Sequence, residues 1–390
     1  RAFAPTVARM TLHFDTPEFA ARQSSATKAV DDAGLDALLM FAPESHLWLT
    51  GYDTFGFAMF QAMVLTARGD IHLLTRMPDL RQARYTSTLP DDHIHIWPEF
   101  EGCDPARDLA KLLTDLGVRG AIGFESQTAG LTDFNGQLLR AAIPELVDAS
   151  DLIRTLRRSK SPAEIAMHRR AAALSDDALD AAIATTRAGA FEGEILAAMQ
   201  GAVFKGGGDY AGNEFIIGSG EGALLCRYYS GRRHLDPNDQ LTLEWSGAYA
   251  RYHAAMMRTI IIGPPSDAHK RMHGACEDAI VACEAAIMPG APMGDVYTAH
   301  AKVFDANGLS HARLQACGYG MGAVYNPIWV DFPMFYEGNP LLMQVGQVFF
   351  LHMILMDSES GAAMTIGHSV LVTNTGCERL SRHGTGLLQC

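Results

Sequence analysis

The sequence lacks a run of eighteen or more apolar residues, so we expect no membrane-spanning helix. Basic residues are also scarce: 31 Lys and Arg against 44 Asp and Glu give a net charge of -13. That balance argues against nucleic acid or an anionic membrane surface as the main partner. The seven cysteines include no Cys-x-x-Cys pair, which favours reduced thiols and a cytoplasmic location.

The short motifs that mark common enzyme classes are absent as well. The glycine cluster at 206–208 is not followed by Gly-Lys-Ser/Thr, so it does not form a phosphate-binding loop. No Gly-x-Ser-x-Gly or His-Glu-x-x-His occurs. A nucleotide-binding P-loop, a serine hydrolase elbow and a helical zinc-protease motif are therefore excluded.

The distribution of apolar residues predicts two domains within the 390 residues. Short apolar runs alternate with amphipathic stretches in the first part, which is typical of an α/β domain. A capping box then begins a long Ala-rich helix, with Ser161 as N-cap, Pro162 in the first turn and Glu164 at N3. We place the domain boundary just before this helix, which gives an N-terminal α/β domain of residues 1–156 and an α+β domain of residues 157–390.

Several segments occur in the order and spacing of a known family. They resemble the pita-bread enzymes of the creatinase and aminopeptidase P type. The resemblance implies a pita-bread (creatinase-like) catalytic domain preceded by a smaller creatinase N-terminal-like domain, and a homodimer. The segments are RTLRRSKSPAEIAMHRRAAA (154–173), EWSGAYARYHAAMMRTIIIG (244–263), GYGMG (318–322), GQVFFLH (346–352) and SVLVT (369–373).

The metallopeptidases of this family hold two metals with two aspartates, a histidine and two glutamates. Those positions fall here on Glu244, Ala255, Tyr319, His352 and Gly367. A pair of divalent ions needs several carboxylates, and only one carboxylate is left. We therefore expect no metal and no other cofactor.

Two metal-free relatives offer further comparison. The histidine and two glutamates used by creatinases fall on Arg227, Met257 and His352, so creatine is excluded as a substrate. Ectoine hydrolases are more similar, through E-x-x-G-x-Y-x-R-Y-H from Glu244, the segment 318–329 and the LTGYD segment. The resemblance implies a nucleophile at Glu244 and a site tyrosine at Tyr52. The histidine of those enzymes corresponds to Arg227, which is a departure.

The candidate catalytic residues also have ordinary interpretations. Glu244 lies among apolar strand residues, so it is either held in an ion pair or used as a nucleophile or base. His253 lies two residues before Ala255 on one predicted strand, so both side chains face one side. His253 and His352 are therefore candidates for proton transfer, and core histidines are the alternative.

The candidate substrate-binding residues are one arginine and three aromatic residues. Arg227 suits a substrate carboxylate because its guanidinium can bind both oxygens, and a solvated arginine is the alternative. Tyr319, Tyr325 and Trp329 are candidates for the pocket wall, or for ordinary core. We expect Tyr52 to approach the site from the N-terminal domain, of the same subunit or of its partner.

Together with the resemblance to ectoine hydrolases, these residues predict a metal-independent hydrolase of a C–N bond in a small, carboxylate-bearing cyclic amidine or amide, such as an ectoine-like solute. A catalytically silent small-molecule binder and a lyase are the alternatives from other classes. A third alternative is a single metal held by Glu244, His352 and His368, with an activity like that of Xaa-Pro peptidases.

Overall fold

The computed structural model describes residues 12–227 and 231–390. The chain divides into two compact units, Arg1–Arg157 and Arg158–Cys390. The sequence-based boundary, between residues 156 and 157, lies one residue earlier. No helix in the described ranges is both long enough and apolar enough to cross a membrane.

The N-terminal unit is a mixed sheet with helices on both faces. The elements are α1 Thr16–Asp32, β1 Ala37–Met40, α2 Pro43–Thr50, β2 Ala62–Thr66, β3 Ile71–Thr75, α3 Leu80–Thr86, β4 Ile94–Ile96, α4 Pro105–Asp115, β5 Ile122–Phe124, α5 Asp133–Ala142, β6 Leu146–Asp148 and α6 Asp151–Leu156. The strand order is β4-β3-β2-β1-β5-β6, with β1 antiparallel to β2 and parallel to β5. Leu38 of β1 joins a buried cluster with Val30 of α1, and Leu39 joins a separate cluster with Leu109 of α4. Adjacent strand residues thus face opposite layers.

The C-terminal unit is built on a larger, largely antiparallel sheet. The elements are α7 Pro162–Thr185, α8 Glu192–Lys205, β7 Ile216–Ser219, β8 Asp239–Tyr249, β9 Tyr252–Ile262, α9 Asp267–Ala286, α10 Met293–Ala306, β10 Ala316–Gly320, β11 Asp331–Tyr336, β12 Val348–Asp357, β13 Ala362–Thr373, β14 Gly376–Arg379 and β15 Leu388–Gln389. The strand order is β11-β10-β12-β13-β9-β8-β7, with β14 and β15 paired to β13 and β9.

Helix α7 begins as the sequence predicted. Ser161 accepts from the main-chain N–H of Glu164, the Glu164 carboxylate accepts from the N–H of Ser161, and proline occupies the first turn. The helix crosses β8 at very close range, because a Cβ on Gly247 would lie 2.2 Å from the carbonyl oxygen of Ala171. Glycine at 247 is therefore required for α7 to pack on the strand that carries Glu244.

The two faces of the large sheet have different surroundings. On β12, Leu351 and Met353 pack with Ile280 of α9 and Phe304 of α10. Val348, Phe350 and Ile354, which alternate with them along the strand, belong to a different buried cluster. Side chains alternate along a strand, so even-numbered residues of β12 point away from α9 and α10. We call this second side the inner face.

Candidate active site

A row of side chains crosses four neighbouring strands on the inner face. Glu244 on β8 pairs with Met257 on β9, Met257 pairs with Gly367 on β13, and Gly367 pairs with His352 on β12. Residues that pair directly across a sheet project to the same face. The sheet register therefore places Glu244 and His352 on one surface, and the Phe350 ring packs against Gly367, where a Cβ would lie 2.8 Å from it.

Tyr319 joins the same face from β10. It pairs with Phe350, which lies two residues before His352 on β12. The Tyr319 ring lies 5.4 Å from the Phe350 ring and 5.7 Å from the His352 ring, centroid to centroid. Phe350 was not among the predicted site residues, although its spacing of two from His352 places it on the same face.

A directed hydrogen-bond chain ends at Glu244. The indole Nε1–H of Trp329 donates to the hydroxyl of Tyr319 at 2.8 Å, and that hydroxyl donates to Oε1 of Glu244 at 3.3 Å. Indole is a donor only, so the chain has one direction. No ion pair with Glu244 forms among the described residues, which does not support the ion-pair interpretation of this buried carboxylate.

The surroundings of Glu244 bring its titration close to neutral pH. Burial raises the pKa of Glu244 to about 7, against the opposing effects of the Tyr319 hydrogen bond and the positive charge of Arg227. Burial, reinforced by the negative charge of Glu244, raises the pKa of Tyr319 well above its usual range. Tyr319 therefore stays a neutral donor, while Glu244 exchanges between carboxyl and carboxylate near pH 7.

His352 is buried and neutral at physiological pH. Burial lowers its pKa to about 4, and its Nδ1 has no hydrogen-bond partner among the described residues. A buried polar nitrogen without a partner is unusual in a folded protein. This imidazole therefore has unused hydrogen-bonding capacity.

His253 has a different environment from the one predicted. Its Nδ1–H donates to the carbonyl of Arg251 at 2.7 Å, and its Nε2 accepts from the N–H of Gly212 at 2.8 Å. Burial lowers the pKa of His253 to about 4. Both ring nitrogens are occupied by main chain, so the geometry assigns His253 a structural role and does not support the predicted proton transfer.

Two further candidates, Arg227 and Tyr325, are not part of the hydrogen-bond chain from Trp329 to Glu244. Arg227 is exposed, and its positive charge lowers the pKa of both Glu244 and Tyr319. Tyr325 is buried beneath the guanidinium of Arg251, 5.0 Å from its ring centroid, at the turn between β8 and β9.

Tyr52 lies in the N-terminal unit, where its environment is a buried polar network. Its hydroxyl donates to Oε1 of Gln61 at 3.1 Å. Gln61 also contacts Nδ1 of His46 at 3.3 Å. The part of Tyr52 in catalysis stays a prediction.

The residues at the former ligand positions do not fit a metal pair. Only Glu244 supplies a carboxylate, and the described part of the chain contains no group of three or more His, Cys, Asp or Glu side chains arranged to hold a metal. The predicted single-metal alternative is also wrong. His368 follows Gly367, so it faces the opposite side of β13, where its Nε2 lies 2.6 Å from Oε1 of Glu284.

Asn213 contacts the site and was missed by sequence reasoning. Its Oδ1 accepts from the main-chain N–H of Trp329 at 3.1 Å. The two residues are 116 positions apart in the chain. Neither spacing nor periodicity in the sequence predicts this contact.

Each of the two units matches a known protein family. The model described as Metallopeptidase family M24 matches residues 166–374, and the Creatinase/Prolidase N-terminal domain matches residues 22–159. An ectoine hydrolase from Halomonas elongata is 26% identical, with 96% of this chain and 97% of that protein covered. An uncharacterized hydrolase/peptidase, y4tM, from Sinorhizobium fredii is 27% identical over 95% of this chain and 97% of its own length. The structure of dipeptidase PepE from Mycobacterium ulcerans aligns with a TM-score of 0.84 at 25% identity, covering 96% and 99% of the two chains.

Proposed function

Because the chain belongs to metallopeptidase family M24, with a creatinase-type N-terminal domain before its pita-bread domain, we propose that it hydrolyses a non-peptide C–N bond without the metals of that family. The proposed substrate is a small cyclic amidine or amide that carries a carboxylate, of the ectoine type. The observation that carries this proposal is Glu244: a buried carboxylate on the inner face with a pKa of about 7 and a Tyr319 hydroxyl directed at it.

The substitutions at the former metal positions support a change of chemistry. Tyr319 and Gly367 occupy positions where the family has metal ligands, and each has a different role here. Tyr319 donates to Glu244, and Gly367 has no side chain that could bind an ion. At these two positions, metal ligands are therefore replaced by a hydrogen-bond donor to Glu244 and by a residue without a side chain.

Glu244 is suited to act as a nucleophile or as a general base. A carboxylate with a pKa near the working pH combines a useful ionised fraction with good basicity. It attacks best at a strongly electrophilic carbon, and the carbon of a protonated cyclic amidine is more electrophilic than that of an ordinary amide. In either mode one water adds across the C–N bond: the carbon keeps the oxygen, and the leaving nitrogen takes a proton.

The other polar groups have complementary roles. Arg227 supplies positive charge near Glu244 and is the proposed partner of the substrate carboxylate. The unpartnered Nδ1 of His352 is the proposed hydrogen-bonding group for the substrate ring. Tyr319 and Trp329 provide an aromatic wall behind the reacting carbon. The similarity to the Halomonas ectoine hydrolase over nearly the whole chain supports this class of substrate.

The direct test is hydrolysis of ectoine and hydroxyectoine, with an Xaa-Pro dipeptide as the comparison substrate. We expect turnover of a cyclic amidine by the parent protein, none by Glu244→Gln, and none of the dipeptide by either. Tyr297→Phe is a matched control, because Tyr297 is a buried, hydrogen-bonded residue of α10. Saturable binding of these compounds without turnover in the parent would favour the binder, and release of an elimination product would favour the lyase. Cleavage of the dipeptide alone would overturn the proposal.

A further inference from the structure

The loop of residues 206–215, between α8 and β7, meets the segment that precedes β11 at main-chain contact. A Cβ on Gly212 would lie 2.9 Å from the carbonyl carbon of Ile328 and 2.9 Å from the nitrogen of Trp329. A real Cβ essentially never lies that close, so only glycine lets the two segments touch. The contact therefore fixes the distance between the loop and Trp329.

Asn213 adds a specific hydrogen bond to this contact. Its Oδ1 accepts from the main-chain N–H of Trp329 at 3.1 Å, and its Nδ2 donates to the carbonyl of Glu214 at 3.0 Å. The donor and the acceptor of the amide thus each have a complementary partner, which fixes the orientation of the side chain. Asn213 is only partly buried, whereas Trp329 is 2% exposed.

The loop is anchored from its other side by His253. The N–H of Gly212 donates to Nε2 of this histidine, whose proton is on Nδ1 because Nδ1 donates to the carbonyl of Arg251. A neutral imidazole with its lone pair on Nε2 is required for that arrangement. His253 thus holds the loop against the turn between β8 and β9.

We propose that Asn213 is a positioning residue for Glu244: it holds Trp329 so that the indole donates to Tyr319, and Tyr319 in turn donates to the carboxylate. A hydroxyl that accepts a hydrogen bond becomes a stronger donor, because bonds in a chain polarise one another. A displaced indole therefore weakens the hydrogen bond from Tyr319 and leaves the ionised form of Glu244 less stabilised. The importance of this contact for turnover rests on the proposed function, whereas its effect on Glu244 does not.

The test is a pH titration followed by fluorine NMR on the full chain, with 5-fluorotryptophan at its four Trp positions. Trp329→Phe identifies the Trp329 resonance. In the parent we expect this resonance to shift with a midpoint near pH 7, and Glu244→Gln to abolish the transition. Asn213→Ala should raise the midpoint by about half a pH unit or more. Gly212→Ala, which displaces Trp329 through the main-chain contact, should move it in the same direction.

The matched control is Asn307→Ala. The Asn307 side chain donates to the carbonyl of Val303 at the end of α10, so its loss should leave the midpoint unchanged. An unchanged or lowered midpoint in folded Asn213→Ala protein would overturn the proposal, as would a parent transition that survives Glu244→Gln. If the predicted NMR shifts occur and no cyclic amidine is hydrolysed, the proposed function fails while the role of Asn213 stands.

Discussion

Replacing Tyr319 with phenylalanine removes the hydroxyl that donates to Glu244 while keeping the ring against Phe350 and His352. A hydrogen bond to a charged group contributes roughly 1.5–3 kcal/mol, and the 3.3 Å length places this one at the low end. About 1.4 kcal/mol corresponds to one pKa unit. We therefore expect the pKa of Glu244 to rise from about 7 to roughly 8.

The consequence is a displaced pH–rate profile. Glu244 acts in its ionised form, so activity is present above its pKa and is lost as pH falls through that value. At pH 7 the ionised fraction falls from about one half to about one tenth, which predicts a roughly fivefold loss of kcat/KM that is recovered near pH 9. The assay is kcat/KM for the cyclic amidine between pH 5 and 10, with Tyr297→Phe as the control. An acid limb at the parent pH, or an equal loss at every pH, would refute the reasoning.

Three further predictions concern the same surface. The folded pKa of Glu244 is raised above the unfolded value of 4.5, so its stabilising effect is full below pH 4.5 and is lost as pH rises through about 7. Glu244→Gln should therefore be more stable than the parent at pH 8, by up to about 3 kcal/mol in urea unfolding, and similar at pH 4.5; equal stability at pH 8 would contradict this. Arg227→Met should raise KM for carboxylate-bearing substrates about tenfold or more with a smaller change in kcat, and Arg227→Lys should retain part of the affinity, as steady-state kinetics will show. His352→Phe removes an unpartnered buried nitrogen, so thermal unfolding should show unchanged or higher stability while substrate affinity falls; a large loss of stability would show that the imidazole has a structural partner.

Much of the fold could be predicted from the sequence, because a local signal, the capping box, and the order of the family segments along the chain indicate the same structure. The pita-bread assignment is confirmed, and so is the capping box of Ser161 and Glu164. The hairpin of β8 and β9 was less well predicted. Ala250 and Arg251 form its turn, with φ values of 50° and 66°. The sequence does not indicate this turn, because apolar residues flank it on both sides. In addition, neither alanine nor arginine is a typical residue for a left-handed turn.

The sequence brings candidate residues to one face where strand register determines their position, and it gives no position where loops do. Glu244, Tyr319 and His352 occupy aligned strand positions, so a family pattern is enough to bring them to one face. The role of His253 depends on the N–H of Gly212, which lies in a loop. Loop contacts between residues far apart in the chain follow from tertiary packing, which neither periodicity nor spacing encodes.

The most direct test of the central claim is turnover of ectoine or a related cyclic amidine by protein purified without a histidine tag, with metal content measured by mass spectrometry before and after treatment with a chelator. We predict less than about a tenth of an equivalent of bound metal, because a dinuclear site needs several carboxylates and Glu244 is the one carboxylate at the five former ligand positions. We also predict turnover that persists after chelation and disappears in Glu244→Gln. Near-stoichiometric metal, with activity lost on chelation and restored by adding the ion, would contradict the account.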